Sequence, residues 1–464
     1  MSTYSPVEID TTDNGNAAAP LVQIVYNNQL YAVLFSAGHL AVFNSTDGGN
    51  SWTELDGANR PAFGSAGAVY DGVDTIVCAV RLGPASPNDL NLINFDLASG
   101  TWGAFYGTVL PPSTSALSIA PVYVRPDGTI VVISSPKQGT AGAFAANPTG
   151  FQIDVYDPNT DTWAASVDAG ANIAALPGWD ATRILLNMSQ STACMDSTGR
   201  VHIFLNTISF LAVPVIWGNR VFYQAWETND SLGAFEDFPG QSVVYAGPPN
   251  AGRQKFEAFS GPPFGQPTVI EDFDMIFVAA SAVNRTQTFP RLNAYAVYGT
   301  PIAAPVWFFP GINDGVSIDP DCFIDTDLEV NEAPNSFYDG TNIYCVFPVD
   351  DVGVTAEFQR LRLCNNTPQG VLDEDPWTPI TAFDLAVDSP PGFDIAGQIC
   401  VLPSVRVFDT QVMLTMDSKV PPTGVDEARY WLGNFTPVST FVSPLINPAA
   451  LPVVSLPNPA KICS

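Results

Sequence analysis

The chain has 464 residues, of which 46% are hydrophobic and only 14% are charged, and its formal net charge at pH 7 is −29. It contains 17 lysines and arginines, and they form no basic run. Because phosphate neutralisation needs clustered cations, the composition argues against nucleic acid and anionic membrane as partners.

The N-terminus gives no targeting signal. Residues 1–10 lack the basic start and the apolar stretch of a signal peptide. The longest apolar run, near residues 208–217, is too short to cross a bilayer. We therefore expect a soluble protein without membrane insertion, and the sequence does not fix its compartment.

A short apolar β-run that follows a turn recurs seven times along the chain. The runs span residues 29–35, 74–80, 128–134, 199–205, 273–279, 341–347 and 410–416. The turns before them are rich in Asn, Asp and Gly, which tolerate the left-handed backbone of tight hairpins. Seven similar units indicate a ring of radially arranged sheets, which is a β-propeller.

Each unit is predicted to contain four antiparallel strands, and the fourth usually begins near an aromatic residue. These aromatic residues are Trp52, Trp102, Trp163, Phe235, Trp307 and Trp377. We interpret their rings as packing anchors between adjacent sheets. The sequence therefore predicts an all-β, seven-bladed β-propeller of four-stranded antiparallel blades in residues 1–445, followed by a Pro-rich extension at 446–464.

The seventh unit has no clear aromatic residue at its fourth strand. Two segments could complete it, residues 439–445 and the N-terminal residues 5–9. We favour the N-terminal strand, because pairing the two ends of the chain would close the ring and remove an exposed sheet edge. No segment shows a capped helix with a sustained period of 3.6 residues.

One motif lies between the third and fourth strands of the first unit. It reads Ser45-Thr-Asp47-Gly-Gly49-Asn-Ser-Trp52 and resembles the Asp-box, or BNR repeat, of the sialidase-like β-propellers. The resemblance implies a structural turn in which Ser45 and Asp47 cap backbone amides, Gly49 allows the chain reversal and Trp52 packs into the sheet. Sialidases typically have six blades, so a six-bladed sialidase-like propeller is the alternative to seven.

The same resemblance gives little support for catalysis. The family's enzymes use three arginines, a Tyr–Glu nucleophile pair and an Asp acid/base, and their early arginine lies in a Phe/Tyr-Arg-Ile-Pro motif that this chain lacks. The two histidines, His39 and His202, have no catalytic partner near them in sequence and are predicted to be structural. We assign no catalytic residue.

Candidate ligand-binding residues fall in the insertions between the units. Trp179 and Arg183 lie in residues 164–191, and Arg253 lies in residues 236–265. A tryptophan beside an arginine is typical of a sugar-stacking subsite. A loop that plugs its own ring is the competing interpretation.

A cluster of carboxylates offers a candidate metal site. Asp319, Asp321, Asp325 and Asp327 place hard oxygen ligands at alternate positions, as Ca²⁺ prefers. The cluster matches no EF-hand loop, and a solvated acidic loop explains the same pattern. No cofactor is required by any motif, and Ca²⁺ is the one metal for which the sequence offers candidate ligands.

Two of the seven cysteines are predicted to be neighbours. Cys345 lies in the sixth β-run and Cys364 in the strand after it, so the two could face each other and form a disulfide. Cys78, in the second run, is interpreted as a buried thiol.

Together these features favour a non-catalytic propeller that serves as a binding or structural module, with a glycan or a protein as its partner. Few lysines and abundant Ala, Pro, Asn and Thr resemble the composition of phage and virus structural proteins, which suggests association with a virion. A sialidase-like glycoside hydrolase and a cytoplasmic propeller lectin remain the alternatives. The sequence does not predict the oligomeric state.

Overall fold

The structure is a computed structural model of the 464-residue chain. It describes residues 5–8, 19–27, 29–36, 39–47, 51–61, 63–82, 90–106, 117–136, 152–168, 183–185, 192–210, 217–234, 236–237, 267–284, 291–308, 312–313, 317–318, 323–325, 329–330, 335–350, 359–379, 411–420 and 425–434.

The N-terminal half forms antiparallel sheets of consecutive strands. The chain begins with β1 (Ser5–Glu8), whose partner lies at the other end of the sequence. Blade 1 contains β2 (Ala19–Tyr26), β3 (Gln29–Ser36), β4 (His39–Ser45) and β5 (Thr53–Leu55). Blade 2, after a 3-10 turn at Gly57–Asn59, contains β6 (Phe63–Tyr70), β7 (Thr75–Leu82), β8 (Leu90–Asp96) and β9 (Thr101–Phe105).

Blades 3 and 4 repeat this order and each add a fifth strand. Blade 3 contains β10 (Leu117–Val124), β11 (Ile130–Pro136), β12 (Gln152–Asp157), β13 (Thr162–Trp163) and β14 (Val167–Asp168). Blade 4 contains β15 (Arg183–Leu185), β16 (Thr192–Met195), β17 (Val201–Phe210), β18 (Trp217–Trp226) and β19 (Glu236–Asp237).

Blades 5 and 6 do the same. Blade 5 contains β20 (Thr268–Ile270), β21 (Met275–Asn284), β22 (Arg291–Thr300) and β23 (Val306–Phe308), and β26 (Phe323–Asp325) also pairs with β22. Between them come β24 (Ile312–Asn313), β25 (Ser317–Ile318) and β26 (Phe323–Asp325). Blade 6 contains β27 (Glu329–Val330), β28 (Asn335–Tyr338), β29 (Ile343–Asp350), β30 (Gln359–Asn366) and β31 (Thr378–Pro379).

The two ends of the chain share a sheet. β32 (Gln411–Val420) and β33 (Val425–Asn434) form a hairpin, and β1 pairs with β33 from Ser5 opposite Leu432 to Glu8 opposite Arg429. The N-terminal segment that we favoured for the seventh unit is therefore a strand of this three-stranded sheet. The predicted first strand of that unit, residues 403–408, lies outside the described residues.

The first strands of successive blades lie side by side around a ring. β2 contacts β6, β6 contacts β10, and the series continues through β16, β20 and β28, while β32 lies beside β2. The fold is thus an all-β propeller with six blades built on four-stranded antiparallel sheets, to which blades 3 to 6 add a short fifth strand. This matches the six-bladed alternative, and the seventh predicted unit is the three-stranded sheet.

The core lies between the blades, because the second strand of each blade is buried on both sides. Ile76 and Cys78 of β7 pack against blade 1, whereas Val77 and Ala79 of the same strand pack against blade 3. The predicted tryptophans join these layers: Trp102 packs into the layer of blades 1 and 2, as Trp163, Trp307 and Trp377 do in later layers. Phe235 lies outside the described residues.

One short helix, Pro368–Leu372, was not anticipated from the sequence. The side chain of Thr367 caps it by accepting a hydrogen bond from the backbone N–H of Gly370 at 2.9 Å. A single turn is too short to produce a helical period in the sequence. Within the described ranges, none of the helices has the length and apolar character that crossing a bilayer requires.

Candidate functional site

The strand directions give the propeller two different faces. In each blade, the turn from first to second strand and the turn from third to fourth strand lie at the same ends of the sheet, which we call the turn face. At the opposite ends, which we call the loop face, the second strand ends and the third begins. The loop face is where the chain leaves and re-enters the described sheets.

Blades 4 and 5 extend further towards the loop face than blades 1 to 3. The paired strands β17 and β18 have 10 residues each, as do β21 and β22. The corresponding strands of blade 3, β11 and β12, have 7 and 6 residues. Among the described strands, those of blades 4 and 5 therefore reach furthest at the loop face, and we call this its higher side.

The predicted binding residue Arg183 lies on this higher side. It begins β15, where it pairs with Ser209 near the loop end of β17, while β16 pairs with the opposite half of β17. β15 therefore continues the position of the first strand, which is the strand nearest the axis of the ring. Trp179 and Arg253, the other predicted binding residues, lie outside the described residues.

Other arginines occupy the same end of neighbouring strands. Arg220 of β18 pairs with Thr207, so Arg183 and Arg220 lie on the two strands that flank β17. Arg291 begins β22, and Arg360 and Arg362 lie in the half of β30 nearer the loop face. We call these five residues, Arg183, Arg220, Arg291, Arg360 and Arg362, the loop-face arginine group.

Within the described strands of the six blades, every arginine lies in the half nearer the loop face, since the remaining one, Arg81, is next to the last residue of β7. Aromatic residues share this end of the sheet. Phe210 pairs with Trp217 at the tip of the hairpin of blade 4, and Tyr295 pairs with Phe323 in blade 5. Acidic residues are interspersed, as where Glu329 pairs with Asp350 in blade 6.

The turn face is acidic, and its carboxylates accept hydrogen bonds both within their own turns and from neighbouring blades. Acidic residues of the described turns are Asp47, Asp71, Asp74, Asp96, Asp127, Asp157, Asp161, Asp196, Glu227, Asp230, Glu271, Asp272, Asp274, Asp339, Asp373, Glu374 and Asp375. Asp71 is typical, because its Oδ1 accepts hydrogen bonds from the backbone N–H groups of Val73, Asp74 and Thr75 at 2.8, 3.2 and 3.0 Å. Such carboxylates fix backbone geometry.

These turns shift the pKa values of their carboxyl groups in different directions. A hydrogen bond from the backbone N–H of Asn159 lowers the pKa of Asp157. Burial raises the pKa of Asp71 despite its three backbone hydrogen bonds. Burial alone would also raise the pKa of Asp196, but hydrogen bonds from His202 and Thr198 bring it below its ordinary value.

Two arginines on the turn face join blades to one another. Arg125 is 4% exposed and donates to the carbonyl oxygens of Gly199 and Glu227 at 3.0 and 2.8 Å, and to Oδ1 of Asp230 at 2.6 Å. Arg200 donates to Glu227 Oε2 and to the carbonyl oxygen of Ala303. Arg125 thereby ties blade 3 to blade 4, and Arg200 ties blade 4 to blade 5.

The motif at Ser45 to Trp52 has the hydrogen bonds expected of a structural turn. Ser45 Oγ donates to Asp47 Oδ1 at 2.8 Å, and the backbone N–H of Ser51 donates to the same oxygen at 2.9 Å. Trp52 packs against the apolar face of blade 1 that contains Leu30. Gly49 lies outside the described residues.

The two histidines differ in setting. His202 is fully buried, with Nδ1 2.8 Å from the hydroxyl of Tyr223 and Nε2 3.3 Å from Oδ2 of Asp196. These contacts fix the ring within the interface of blades 4 and 5, as a structural histidine requires. His39 begins β4 at the loop face.

Only one of the four predicted calcium ligands lies within the described residues. Asp325 ends β26, whereas Asp319, Asp321 and Asp327 lie outside the described residues. Among the described residues, no three His, Cys, Asp or Glu side chains are grouped for a metal ion. Calcium binding therefore stays a prediction.

One buried carboxyl group was not anticipated from the sequence. Asp154, in β12, is fully buried, and its Oδ1 accepts hydrogen bonds from Gln152 and Ser166 while its Oδ2 has no hydrogen-bond partner. Burial raises its pKa. A lone Asp within a strand gives no sequence signal of burial, since the pairing that encloses it is made by distant residues.

Comparisons with known proteins support the fold. No family model matches the chain, and no curated protein matches it. A PL25 ulvan lyase structure is similar with 11% identity and a TM-score of 0.51, covering 93% of this chain and 96% of that one. The same enzyme class bound to -[GlcA(1-4)Rha3S]- gives 9% identity, the same coverage and the same TM-score. The β-propeller domain of the Trilobed protease from Pyrococcus furiosus has 10% identity and a TM-score of 0.41, covering 93% and 99%.

At these identities, the likeness to the ulvan lyases concerns the arrangement of strands and not the site. It agrees with the ring of blades seen here. The chain is a β-propeller protein.

Proposed function

We propose that this propeller is a non-catalytic module that binds an acidic polysaccharide at the loop face, on blades 4 to 6. The observation that carries the proposal is the loop-face arginine group. In a chain with 17 basic residues and a net charge of −29, five arginines lie at the same end of three successive blades.

Distance separates these arginines from the acidic turns. At about 3.3 Å per residue, Arg220 lies roughly 20 Å along β18 from Trp226 at the turn face. The Debye length at physiological ionic strength is about 8 Å. Charges on the turn face are therefore largely screened at the loop face, and a polyanion there responds mainly to the local arginines and acids.

The residue types suit an acidic sugar. A guanidinium group binds a carboxylate or a sulfate through two parallel hydrogen bonds, which a lysine cannot do. Aromatic rings offer apolar faces for stacking, and Phe210 pairs with Trp217 at the tip of the hairpin that also contains Arg220. Repeated anionic units along a polymer could then meet arginines on successive blades.

The fold comparison adds support of a general kind. A propeller of similar architecture is known with the anionic repeat -[GlcA(1-4)Rha3S]- bound.

We also propose that the turn at Ser45 to Trp52 is an Asp-box, supported by the hydrogen bonds of Asp47. Membership of a virus particle stays a prediction.

Binding can be measured by titration calorimetry with three polymers: one with the -[GlcA(1-4)Rha3S]- repeat, chondroitin sulfate, and neutral dextran as the control. We expect binding of one or both acidic polymers and none of dextran. Arg220→Gln and Arg360→Gln should each weaken binding about tenfold, or about 1.4 kcal/mol.

Arg81→Gln is the matched control, because Arg81 also lies at the loop end of a strand but in blade 2. Its affinity should equal that of the wild-type protein. Equal losses in all three variants, or unchanged affinity in Arg220→Gln and Arg360→Gln, would contradict binding on blades 4 to 6.

A polysaccharide-cleaving enzyme is the second candidate, favoured by the likeness to the ulvan lyases. Size-exclusion chromatography of the polymer after long incubation distinguishes the two functions. Intact polymer supports a binding module. Shortened chains would overturn the non-catalytic part of the proposal, and unsaturated ends among them would identify a lyase rather than a hydrolase.

A further inference from the structure

Two cysteines face each other inside blade 6. Cys345 of β29 pairs directly with Cys364 of β30. Both side chains are fully buried. They belong to one apolar cluster with Phe277 and Trp377, at the interface of blades 5 and 6. The disulfide left open by the sequence therefore has its two partners in place.

The hydrogen-bond pattern of the sheet tells which kind of pair this is. The N–H of Asp339 donates to the carbonyl oxygen of Asn342 at 3.1 Å across the turn between β28 and β29. The N–H and C=O groups of successive residues point alternately to the two sides of a strand. Those of Asn342 and Tyr344 therefore point towards β28, and those of Cys345 point towards β30. Cys345 and Cys364 therefore occupy a hydrogen-bonded pair.

A hydrogen-bonded pair can form a disulfide, but the disulfide is strained. Its Cα atoms are about 5.5 Å apart, within the roughly 4.4–6.8 Å that disulfides span. Cross-strand Cβ atoms lie about 4.5–5.5 Å apart, whereas a disulfide prefers about 3.8 Å. Closing the bond must draw the strands together locally, and strained disulfides are the more easily reduced ones.

We propose that Cys345 and Cys364 form a reversible disulfide that responds to the redox state of the surroundings. With glutathione disulfide as oxidant, one thiol loses its proton and attacks, forming a mixed disulfide and releasing one glutathione. The second thiol then displaces the second glutathione. The S–S bond of one glutathione disulfide is broken to give two glutathione thiols, the two protein thiols are oxidised, and one S–S bond is formed in the protein.

Burial makes this exchange selective and slow. Burial, together with the neighbouring Cys364, raises the pKa of the Cys345 thiol, so attack requires local opening of blade 6. Cys78 and Cys194 are buried as well, but their partners across the sheet are not cysteines. They are the internal controls for oxidation of any buried thiol.

The test uses the 464-residue chain carrying Cys322→Ser and Cys400→Ser. Trypsin cuts after Arg291, Arg360, Arg362 and Arg406, so each of the two fragments then contains a single cysteine. The protein is equilibrated in buffers of increasing glutathione disulfide, alkylated in denaturant, digested and analysed by mass spectrometry. We expect the two fragments to become linked, with loss of two hydrogen atoms, and to separate again after treatment with dithiothreitol.

Cys78 and Cys194 should remain alkylated throughout. The proposal is overturned if both fragments stay alkylated at every ratio, also after incubation in sub-denaturing urea that opens the blade. It is equally overturned if the alkylation of Cys78 and Cys194 decreases together with that of Cys345 and Cys364. Cys345→Ser and Cys364→Ser, each in the same background, should abolish the linked species.

Discussion

The turn face and the loop face are built from the same strands, yet they use their charged residues in opposite ways. Carboxylates on the turn face accept hydrogen bonds from nearby backbone N–H groups, as Asp71 and Asp47 do. Arginines there, such as Arg125, hold one blade to the next. At the loop face, arginines stand at the ends of strands on blades 4 to 6. One face stabilises the ring, and the other is where we propose that a ligand binds.

The largest expected effect comes from Arg125→Ala on the turn face. The change removes three hydrogen bonds between blades 3 and 4 and leaves two carbonyl oxygens without this donor. We expect a loss of about 2–4 kcal/mol in the free energy of unfolding, measured by urea denaturation. Polysaccharide affinity of the folded variant should be unchanged.

Arg60→Ala is the control for this prediction. Arg60 forms a partly exposed ion pair with Glu54 at 3.5 Å, and such pairs contribute under about 1 kcal/mol. If both variants lose the same stability, Arg125 has no special role in holding blades together. If Arg125→Ala weakens polysaccharide binding in the folded variant, the assignment of stability to the turn face and of binding to the loop face is wrong.

The double change Arg220→Gln and Arg360→Gln should act on binding alone. Two independent losses of about tenfold give about a hundredfold lower affinity. Because arginines contacting a polyanion displace its counterions, the dependence of affinity on salt should also become shallower. Calorimetric titrations at several salt concentrations measure both, and an unchanged urea midpoint confirms that the fold is intact.

Asp47→Ala should have a smaller effect on stability. The change removes the acceptor for Ser45 Oγ and for the backbone N–H of Ser51, and losing a turn cap costs about 1 kcal/mol. Asp47→Asn keeps one oxygen acceptor and should recover part of the loss in urea denaturation. Equal losses in both variants would show that the charge, rather than the hydrogen bonds, is what the turn needs.

The smallest effects are expected from Asp157→Asn and Asp71→Asn, through pH. The folded state lowers the pKa of Asp157, so its contribution to stability is present above the unfolded value, about 3.9, and is lost as pH falls through the folded pKa. The folded state raises the pKa of Asp71, so that carboxyl favours folding at low pH and opposes it as pH rises through the folded pKa.

Asp157→Asn should therefore lose stability mainly at neutral pH, whereas Asp71→Asn should gain stability at neutral pH and change little in acid. Urea midpoints of both variants and the wild-type protein at about pH 3 and pH 7, on either side of the ordinary Asp value, make the comparison. Midpoint shifts of the same sign at pH 7 would contradict the assignment.

The repeating strands could be predicted because their signals are local. The run at residues 74–80 became β7 (Thr75–Leu82), and the turn before it contains Gly72 with φ of 88°, a conformation that favours glycine. Successive side chains of a strand point to opposite faces, so the unbroken apolar run from Ile76 to Ala79 indicates that both faces of the strand are apolar. The number of complete blades was harder to predict, since the closing sheet is assembled from opposite ends of the chain.

The site was predictable only in part, for the same physical reason. Arg183 was selected from its neighbour Trp179, but its place beside β17 depends on pairing with Ser209, which no local pattern specifies. Arg125 bonds to groups 74 to 105 residues away in sequence, so its role could not be recognised before the blades were assembled. The pairing of Cys345 with Cys364 was foreseen because one hairpin contains both residues.

The most direct test of ligand binding at the loop face is hydrogen exchange of the wild-type protein with and without an acidic polysaccharide that it binds. Binding at the loop face should slow exchange in the loop ends of β17, β18 and β30 and leave exchange in the turns around Asp47, Asp71 and Asp157 unchanged. Protection concentrated in those turns, with the loop ends unaffected, would contradict it.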